Sequence, residues 1–371
     1  MDAAAIGVGM LGTAFMGKAH SLAYRTIPAV APDLALRPEL VAIAGRDPAR
    51  TAAAAARYGY ARAAPGWEHL VADPAIGLFD NGGPNDLHAA PTIAAAEAGK
   101  HVVCEKPLGR DADESLEIWR RVAATGVVHM CAFNYRFVPA VRLARDMIAA
   151  GELGALRHVR IRYLQSWGAD PATHDRWRFD PAVAGSGALG DLASHAVDLV
   201  RFLAGEPAAV SAAARTFRPT DGRPAVDDAV AAVLELEGGA IGTLEATRFA
   251  TGRINQLGWE INGDRGTLAF NLERLNELEV FEAGSRGFRT VVVSEPGDPH
   301  WDLWWPPGHG IGWDHTFVHE LLHLLRAIAG ETPVAPLGAT FEDGYRAAAV
   351  CDAIRRSADT GVREPVTYAS A

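Results

Sequence analysis

An amine, a carboxylate and an imidazole in this chain stand in settings that suit proton transfer. Lys106 stands next to last in the run His101-Val102-Val103-Cys104-Glu105-Lys106-Pro107, which places Glu105 and Lys106 where a buried parallel strand ends. Open α/β sheets bind their ligands at that edge. Pro107 keeps Lys106 out of the α region, with a cis bond as one way of doing so. A lysine that merely reaches water from a strand end would leave the same trace. Asp191, His195 and Asp198 recur at i, i+4 and i+7 of a helical pattern and share one face. Gly185, Gly187 and Gly190 precede them and let a ligand approach. An acid and an imidazole one turn apart suit general acid–base chemistry, and a structural Asp–His pair on a helix face would look alike.

Two glycine patterns overlap near the start. Gly7, Gly9 and Gly12 spell G-x-G-x-x-G, and Gly12, Ala14 and Gly17 spell G-x-A-x-x-G five residues later. A phosphate-binding turn must follow a complete strand and open a helix, whose first N–H groups and dipole then hold a pyrophosphate. Too little strand precedes Gly7. The turn is therefore assigned to Gly12-Thr13-Ala14-Phe15-Met16-Gly17, and Gly7 and Gly9 to positions of close packing. At the end of the second strand stands Gly45-Arg46-Asp47, with Arg50 one helical turn on. Arg46 and Arg50 could pair with a 2′-phosphate; alternatively both are solvated and Asp47 is the N-cap before Pro48. The reading leans to NADP, with NAD kept open.

These groups need a scaffold. Ala3 to Leu11, Leu40 to Ala44, Leu78 to Asn81, His101 to Cys104 and Val127 to Ala132 read as buried strands. Helices between them stop at Gly59 and Gly99, so residues 1–135 form βαβ crossovers on a parallel sheet. Beyond the helical pattern Val141 to Ala149 the grammar changes. Arg157 to Gln165 alternates; Ala229 to Glu237 turns at Gly238-Gly239 into Ala240 to Phe249; Trp259 to Asn262 turns into Thr267 to Phe270; Leu278 to Phe281 and Arg289 to Val293 follow. Residues 136–371 thus read as an α+β domain with a large, mostly antiparallel sheet. Arg215 to Asp227 reads as a surface loop. One sheet face is expected to stay apolar and uncovered, with Val233, Leu244 and Val292 among its members, and such a face usually finds a partner.

At 371 residues, 49% apolar and 22% charged, the chain has material for large cores, which excludes disorder as the resting state. The net charge of −10 gives no pull toward nucleic acid or anionic lipid. Cys104, Cys131 and Cys351 form no CxxC pair, as fits a reducing compartment. No basic residue precedes the uncharged stretch Ala3 to Gly17, and no run approaches the ~20 apolar residues that cross a bilayer. A soluble cytoplasmic protein is expected, with neither nucleic acid nor membrane as partner. His319-Glu320-Leu321-Leu322-His323 spells the zinc-protease motif HExxH, and Glu342 could serve as a third ligand. The same helix also reads as Phe317, Leu321, Leu324 and Leu325 packing inward with the histidines on an adjoining stripe. The second reading is preferred, and no metal is expected.

Aromatic faces with polar neighbours suit the walls of a small-molecule pocket. Trp177 and Arg178 lie just before the glycine lead-in and Gln165 ends a strand; with Tyr135 and Arg136 they are the candidate substrate contacts. Trp304-Trp305-Pro306-Pro307 reads as a loop covering the pocket or as an interface.

Taken together, the ordered motifs Gly12 to His20, Pro84-Asn85-Asp86-Leu87-His88, Glu105-Lys106-Pro107, Ala132-Phe133-Asn134-Tyr135-Arg136 and Gly185 to Asp198 resemble the Gfo/Idh/MocA family of sugar and cyclitol oxidoreductases over essentially the whole chain. Within it the chain looks most like the levoglucosan dehydrogenase branch, above all from Lys100 to Arg178. The resemblance implies a Rossmann doubly wound sheet followed by the α+β domain. It further implies Lys106, Asp191 and His195 as a catalytic trio facing the nicotinamide. Pro84, Asn85, His88 and Glu105 would join the glycine turn on the coenzyme, and a homodimer or homotetramer would form through the C-terminal sheet. Ala14, Gly45 and Gly82-Gly83 depart from the family pattern. The expected activity is oxidation of a secondary hydroxyl of a sugar, anhydrosugar or cyclitol with NAD(P), or the reverse. Its rivals are redox-neutral chemistry on tightly held coenzyme and a non-catalytic coenzyme-binding regulator.

Overall fold

Short apolar runs separated by capped helices bury both faces only as a parallel sheet with helices on each side. The chain does this over β1 (Ala4–Leu11), α1 (Phe15–Val30), β2 (Leu36–Ala44), α2 (Pro48–Tyr58), β3 (Arg62–Ala64), α3 (Trp67–Ala72), β4 (Leu78–Asn81), α4 (Ala89–Glu97), β5 (His101–Glu105), α5 (Ala112–Ala123) and β6 (His129–Ala132). The computed structural model describes residues 4–220, 222 and 224–370. Ala3, given above as the start of the first strand, and residues 221 and 223 of the expected loop lie outside them. The strands run parallel in the order β3-β2-β1-β4-β5-β6. That order reverses between β1 and β4, and a crevice opens past their carboxyl ends.

Helix starts differ in a way that matters for the crevice. The Asp47 side chain caps α2 by accepting the Arg50 N–H at 3.0 Å, and Gly59 closes it with φ 89°. By contrast, α1 begins after Ala14, has no side-chain cap and carries no acid in its first turn. Its leading N–H groups are left for another acceptor.

The second half comprises α6 (Pro139–Ala149), β7 (Leu156–Leu164), α7 (Pro181–Ala184), a π-helical turn (Leu189–Ala193), α8 (Ser194–Leu203), β8 (Pro207–Arg215), β9 (Ala229–Leu236), β10 (Ile241–Thr247), β11 (Gln256–Gly263), β12 (Gly266–Asn271), β13 (Glu277–Glu282), β14 (Arg289–Val292), α9 (His315–Ile328), α10 (Phe341–Thr360) and β15 (Glu364–Pro365). The strands form one sheet, β14-β13-β12-β11-β7-β10-β9-β8-β15, antiparallel except for the β7/β10 pair. Helices α8 and α10 pack on one face. Helix α9 packs back on α1, so Phe317, Leu321 and Leu324 share a core with Tyr24 and Ile27. The Cys131 N–H donates to Ala339 O at 2.8 Å and ties the approach to α10 onto the edge of β6.

Leu244 corrects the expectation for the open face. It is 2% exposed and points inward, whereas Val233 and Val292 are 41% and 51% exposed. In the β9–β10 hairpin Thr243 pairs with Val233 and Leu244 with Ala232. With a side-chain period of two, that register puts Leu244 with the covered set.

Candidate active site

The crevice at the switch point is shaped for a pyrophosphate. Gly12 has φ +115°, and a Cβ there would stand 2.5 Å from Gly82 O; a Cβ on Gly17 would meet Gly12 O. Only bare backbone brings the turn this close to the start of α1, so the residues present fit a dinucleotide. Ala14 precedes the helix, Phe15 and Met16 line the crevice, and Gly7 and Gly9 lie within β1 against Ala75 and Ile76. At the end of β2, Arg46, Asp47 and Arg50 are exposed. Pro84 precedes a short 3-10 turn whose Asn85 lines the crevice and donates to Ala184 O at 2.9 Å.

His88 corrects the sequence reading. It is buried, with Nδ1 2.8 Å from Pro107 O and Nε2 3.1 Å from Gly83 O. Rather than facing the crevice, it joins the two loops that form its rim.

A cleft of about 620 Å³ continues from this crevice between the two sheets. Lys106, Asp191 and His195 all line it. Lys106 Nζ donates to Asp191 O at 2.8 Å and to Asp191 Oδ1 at 3.2 Å. The Lys106–Pro107 bond is cis. Asp191 lies in the π-helical turn, and it is the carbonyl of this turn residue that accepts from Lys106. The Asp227 carboxylate fixes the lead-in by accepting the N–H groups of Gly187 at 2.7 Å and Leu189 at 2.8 Å.

Burial opposes charge at both Asp191 and His195, and the neighbours decide the outcome. For Asp191 the cations Lys106, Arg248 and Arg178 outweigh burial and hold the carboxyl well below the usual range, so it stays ionised. For His195 burial and the Lys106 charge act together, holding the imidazole well below its ordinary value against the pull of Asp191. His195 is therefore neutral at neutral pH. Its Nδ1 is buried without a partner, which leaves Nε2 as the nitrogen that can meet a ligand. The ring sits among Phe133, Tyr135 and Tyr163, with centroids 5.8, 4.6 and 5.9 Å away.

Tyr135, Gln165, Trp177 and Arg178, the candidate substrate contacts, also line the cleft, joined by Tyr163, Trp167, Asn255 and Trp313. Asn255 Oδ1 accepts from Gln165 Nε2 at 2.7 Å and from Tyr163 Oη at 2.8 Å. Tyr163 therefore accepts from Tyr135, 2.8 Å away. Trp167 Nε1 donates to Gln165 Oε1 at 2.6 Å. Tyr163 continues the inward register of Val159 and Ile161, and Arg248 that of Leu244 and Ala246. A polar or charged residue on a buried register is the signal that could have found both. Nothing in the sequence around Asn255 singles it out.

Two further readings change, those of Arg136 and Asp198. Arg136 does not reach the cleft: it is buried and gives Nε to Asp198 Oδ2 at 2.9 Å and Nη2 to Asp198 Oδ1 at 2.6 Å. Asp198 accordingly serves that pair, and the face it was expected to share with Asp191 and His195 is not a single site. His319 of the HExxH segment is engaged at both ring nitrogens, by Phe137 O at 2.9 Å and by Trp304 Nε1 at 2.7 Å. His323 Nε2 meets Val334 O at 2.8 Å, and Glu342 pairs with Arg346 at 2.7 Å. These partners tie both histidines of the motif to groups of the protein itself. Trp304 packs against His315 and His319, and it is Trp313 that reaches the cleft, stacking on Phe15 at 5.4 Å.

Known proteins resemble this chain in sequence and fold. Residues 6–133 match the model of an oxidoreductase family with an NAD-binding Rossmann fold, and residues 141–269 match the GFO/IDH/MocA C-terminal domain. The chain is 42% identical to a levoglucosan dehydrogenase of Pseudarthrobacter phenanthrenivorans over 95% of its own length and 96% of the relative. It is 33% identical to a D-xylose 1-dehydrogenase (NADP(+)) of Haloferax volcanii, over 95% of this chain and 97% of that one. A solved levoglucosan dehydrogenase in complex with NADH and levoglucosan superposes with a TM-score of 0.93 at 42% identity, covering 98% of this chain and 99% of the other.

Proposed function

Because the chain belongs to the Gfo/Idh/MocA family of oxidoreductases, we infer that it is an NAD(P)-dependent dehydrogenase. Its substrate is a sugar, anhydrosugar or cyclitol, oxidised at a secondary hydroxyl. The observation that carries the reading is the meeting of Lys106, Asp191 and His195 in one cleft beside a backbone cradle for a dinucleotide.

The turn Gly12–Gly17, with Asn85 and Glu105, would hold the coenzyme. When bound, the nicotinamide supplies the acceptor for the hydrogen and electron pair that leave the carbinol carbon. Neutral His195 takes the hydroxyl proton at Nε2 as general base and returns it in the reverse direction. Nζ of Lys106 has three N–H donors, of which two go to Asp191. The third hydrogen-bonds the substrate oxygen as negative charge develops on it. Ionised Asp191 holds that amine and orients the neighbouring hydroxyls. Trp167, Trp177 and Trp313 give flat apolar faces for the sugar's C–H surface, and Gln165 and Asn255 read its hydroxyls.

Coenzyme choice falls between two claims at the end of β2. Arg46 and Arg50 suit a 2′-phosphate, and the Asp47 carboxylate, already the cap of α2, suits free ribose hydroxyls. A panel of sugars, anhydrosugars and cyclitols, levoglucosan and D-xylose included, followed at the absorbance of reduced nicotinamide with both coenzymes, tests the reading. Turnover with at least one member is expected. A panel silent with both coenzymes overturns it.

We further propose a homodimer or homotetramer built on the uncovered sheet face. Ala213, Ala231, Val233, Ile241 and Thr243 stand outward there, and small flat side chains let a second sheet approach closely. Val233→Glu is expected to shift light-scattering mass toward the monomer. A monomeric wild type would refute this assembly. Among the described residues no helix is long and apolar enough to cross a membrane. The three buried free cysteines suit a reducing interior, and cytoplasmic residence completes the reading.

A further inference from the structure

Asp191 is gripped from two sides. Lys106 reaches its Oδ1 from the end of β5, at 3.2 Å, while Arg248 Nη2 lies 3.0 Å from its Oδ2, entering from just past the end of β10. The Arg248 side chain is completely buried. Besides Asp191 it donates from Nη2 to Gly187 O at 2.9 Å and from Nη1 to Arg178 O at 3.1 Å, and its guanidinium sits 5.1 Å from the centre of the Trp167 ring. Burying a guanidinium is costly unless its charge is met. Here the carboxylate that meets it is the one that holds the amine of the cleft.

We propose that Arg248 is a positioning residue for this reaction, locking the Asp191 carboxylate so that Lys106 is presented to the substrate oxygen. The proposal rests on the dehydrogenase reading above. Its reasoning is geometric. With only Lys106 and the more distant Arg178, whose Nε is 3.8 Å from Oδ2, the carboxylate could rotate and carry the amine with it. A planar fork bound to two backbone carbonyls and one carboxylate oxygen removes that freedom.

Removing Arg248 should therefore lower kcat far more than it raises KM. Around Asp191 stand Lys106, Arg178 and Arg248 as cations, His195 on its own helix, and the phenols of Tyr135 and Tyr163; Asp227 faces Arg248. Without Arg248, burial acts on Asp191 against one cation fewer, and its titration moves upward.

The test uses the full-length enzyme with Arg248→Met and Arg248→Ala. Expected are a kcat about 10- to 100-fold lower, a loss of the size seen when an outer-shell partner is removed, and unchanged binding of reduced coenzyme by fluorescence. Guanidinium ion should partly rescue Arg248→Ala. The 1H–13C signals of the Lys106 Cε group, assigned with Lys106→Met, should show higher order in wild type than in Arg248→Met; Arg248→Lys replaces it if it fails to fold. Equal order of Lys106 in both proteins, or a change in KM alone, overturns the role. A wild type inactive on every sugar would instead refute the dehydrogenase reading and leave the order of Lys106 to judge Arg248.

Discussion

Replacing His195 with alanine is expected to lower turnover about 10²- to 10⁴-fold, the range for loss of a positioned general base, while reduced coenzyme still binds. The reason lies in the protonation state of the imidazole. Burial and the neighbouring ammonium hold His195 neutral, and among the described residues no group accepts from Nδ1 to stabilise an imidazolium in the resting enzyme. The ring is thus unprotonated and available as a base, and a proton taken up there is readily given back. A fall in pH through its lowered pKa protonates it, so in the oxidising direction kcat/KM should hold constant through neutrality and drop only in acid. Lys106→Met adds a signed check. The lysine charge is among the causes that lower the imidazole pKa, and Asp191 raises it. Without the lysine the acid limb should move to higher pH, on top of the loss of turnover. Steady-state rates across pH in the two variants decide: near-normal turnover in both would remove the trio from the chemistry.

How much of this was legible depends on whether local chemistry or packing decides a feature. Strand β4 lies at the residues read from its apolar run, Leu78 to Asn81, and α2 stops at Gly59, because hydrophobic periodicity and a left-handed cap are local signals. The turn at Gly12–Gly17 was likewise readable from the length of strand needed before it. Lys106, Asp191 and His195 could be singled out by type and motif, yet nothing local says that a strand end and a helix some eighty residues apart converge. Strand β3, three residues of Arg and Ala, exists only because β2 offers it an edge. The π-helical turn at Asp191 is invisible to a 3.6-residue pattern. Leu244 turned inward because the hairpin register set its phase, which alternation alone leaves free by one residue. Arg248 and Asn255 carry no motif at all, since their roles come from what the fold brings beside them.

Arg136 shows where motif reading fails, and Arg136→Met should accordingly damage the fold and spare substrate affinity. The guanidinium, 3% exposed, holds Asp198 through two donors and reaches Asp343 Oδ1 at 3.3 Å, with the Phe202 ring centre 4.9 Å from it. Asp343 retains Arg201 at 3.4 Å after the substitution. Asp198, whose carboxyl burial already pushes above its ordinary value, keeps only the weaker pull of Arg201. Breaking a buried pair in this way typically costs about 3–5 kcal/mol, because a charge remains without its partner. The pH dependence follows from that raised carboxyl. Its contribution is fully present below the unfolded pKa and fades as pH rises through the folded one, so the variant should lose most stability at high pH and recover as acid neutralises Asp198. Denaturant unfolding at pH 5 and pH 8 measures this, alongside KM for the sugar. Arg136→Met combined with Asp198→Leu should restore much of the loss, since an apolar pair leaves no buried charge. A stable Arg136→Met protein with a raised KM would return Arg136 to the substrate.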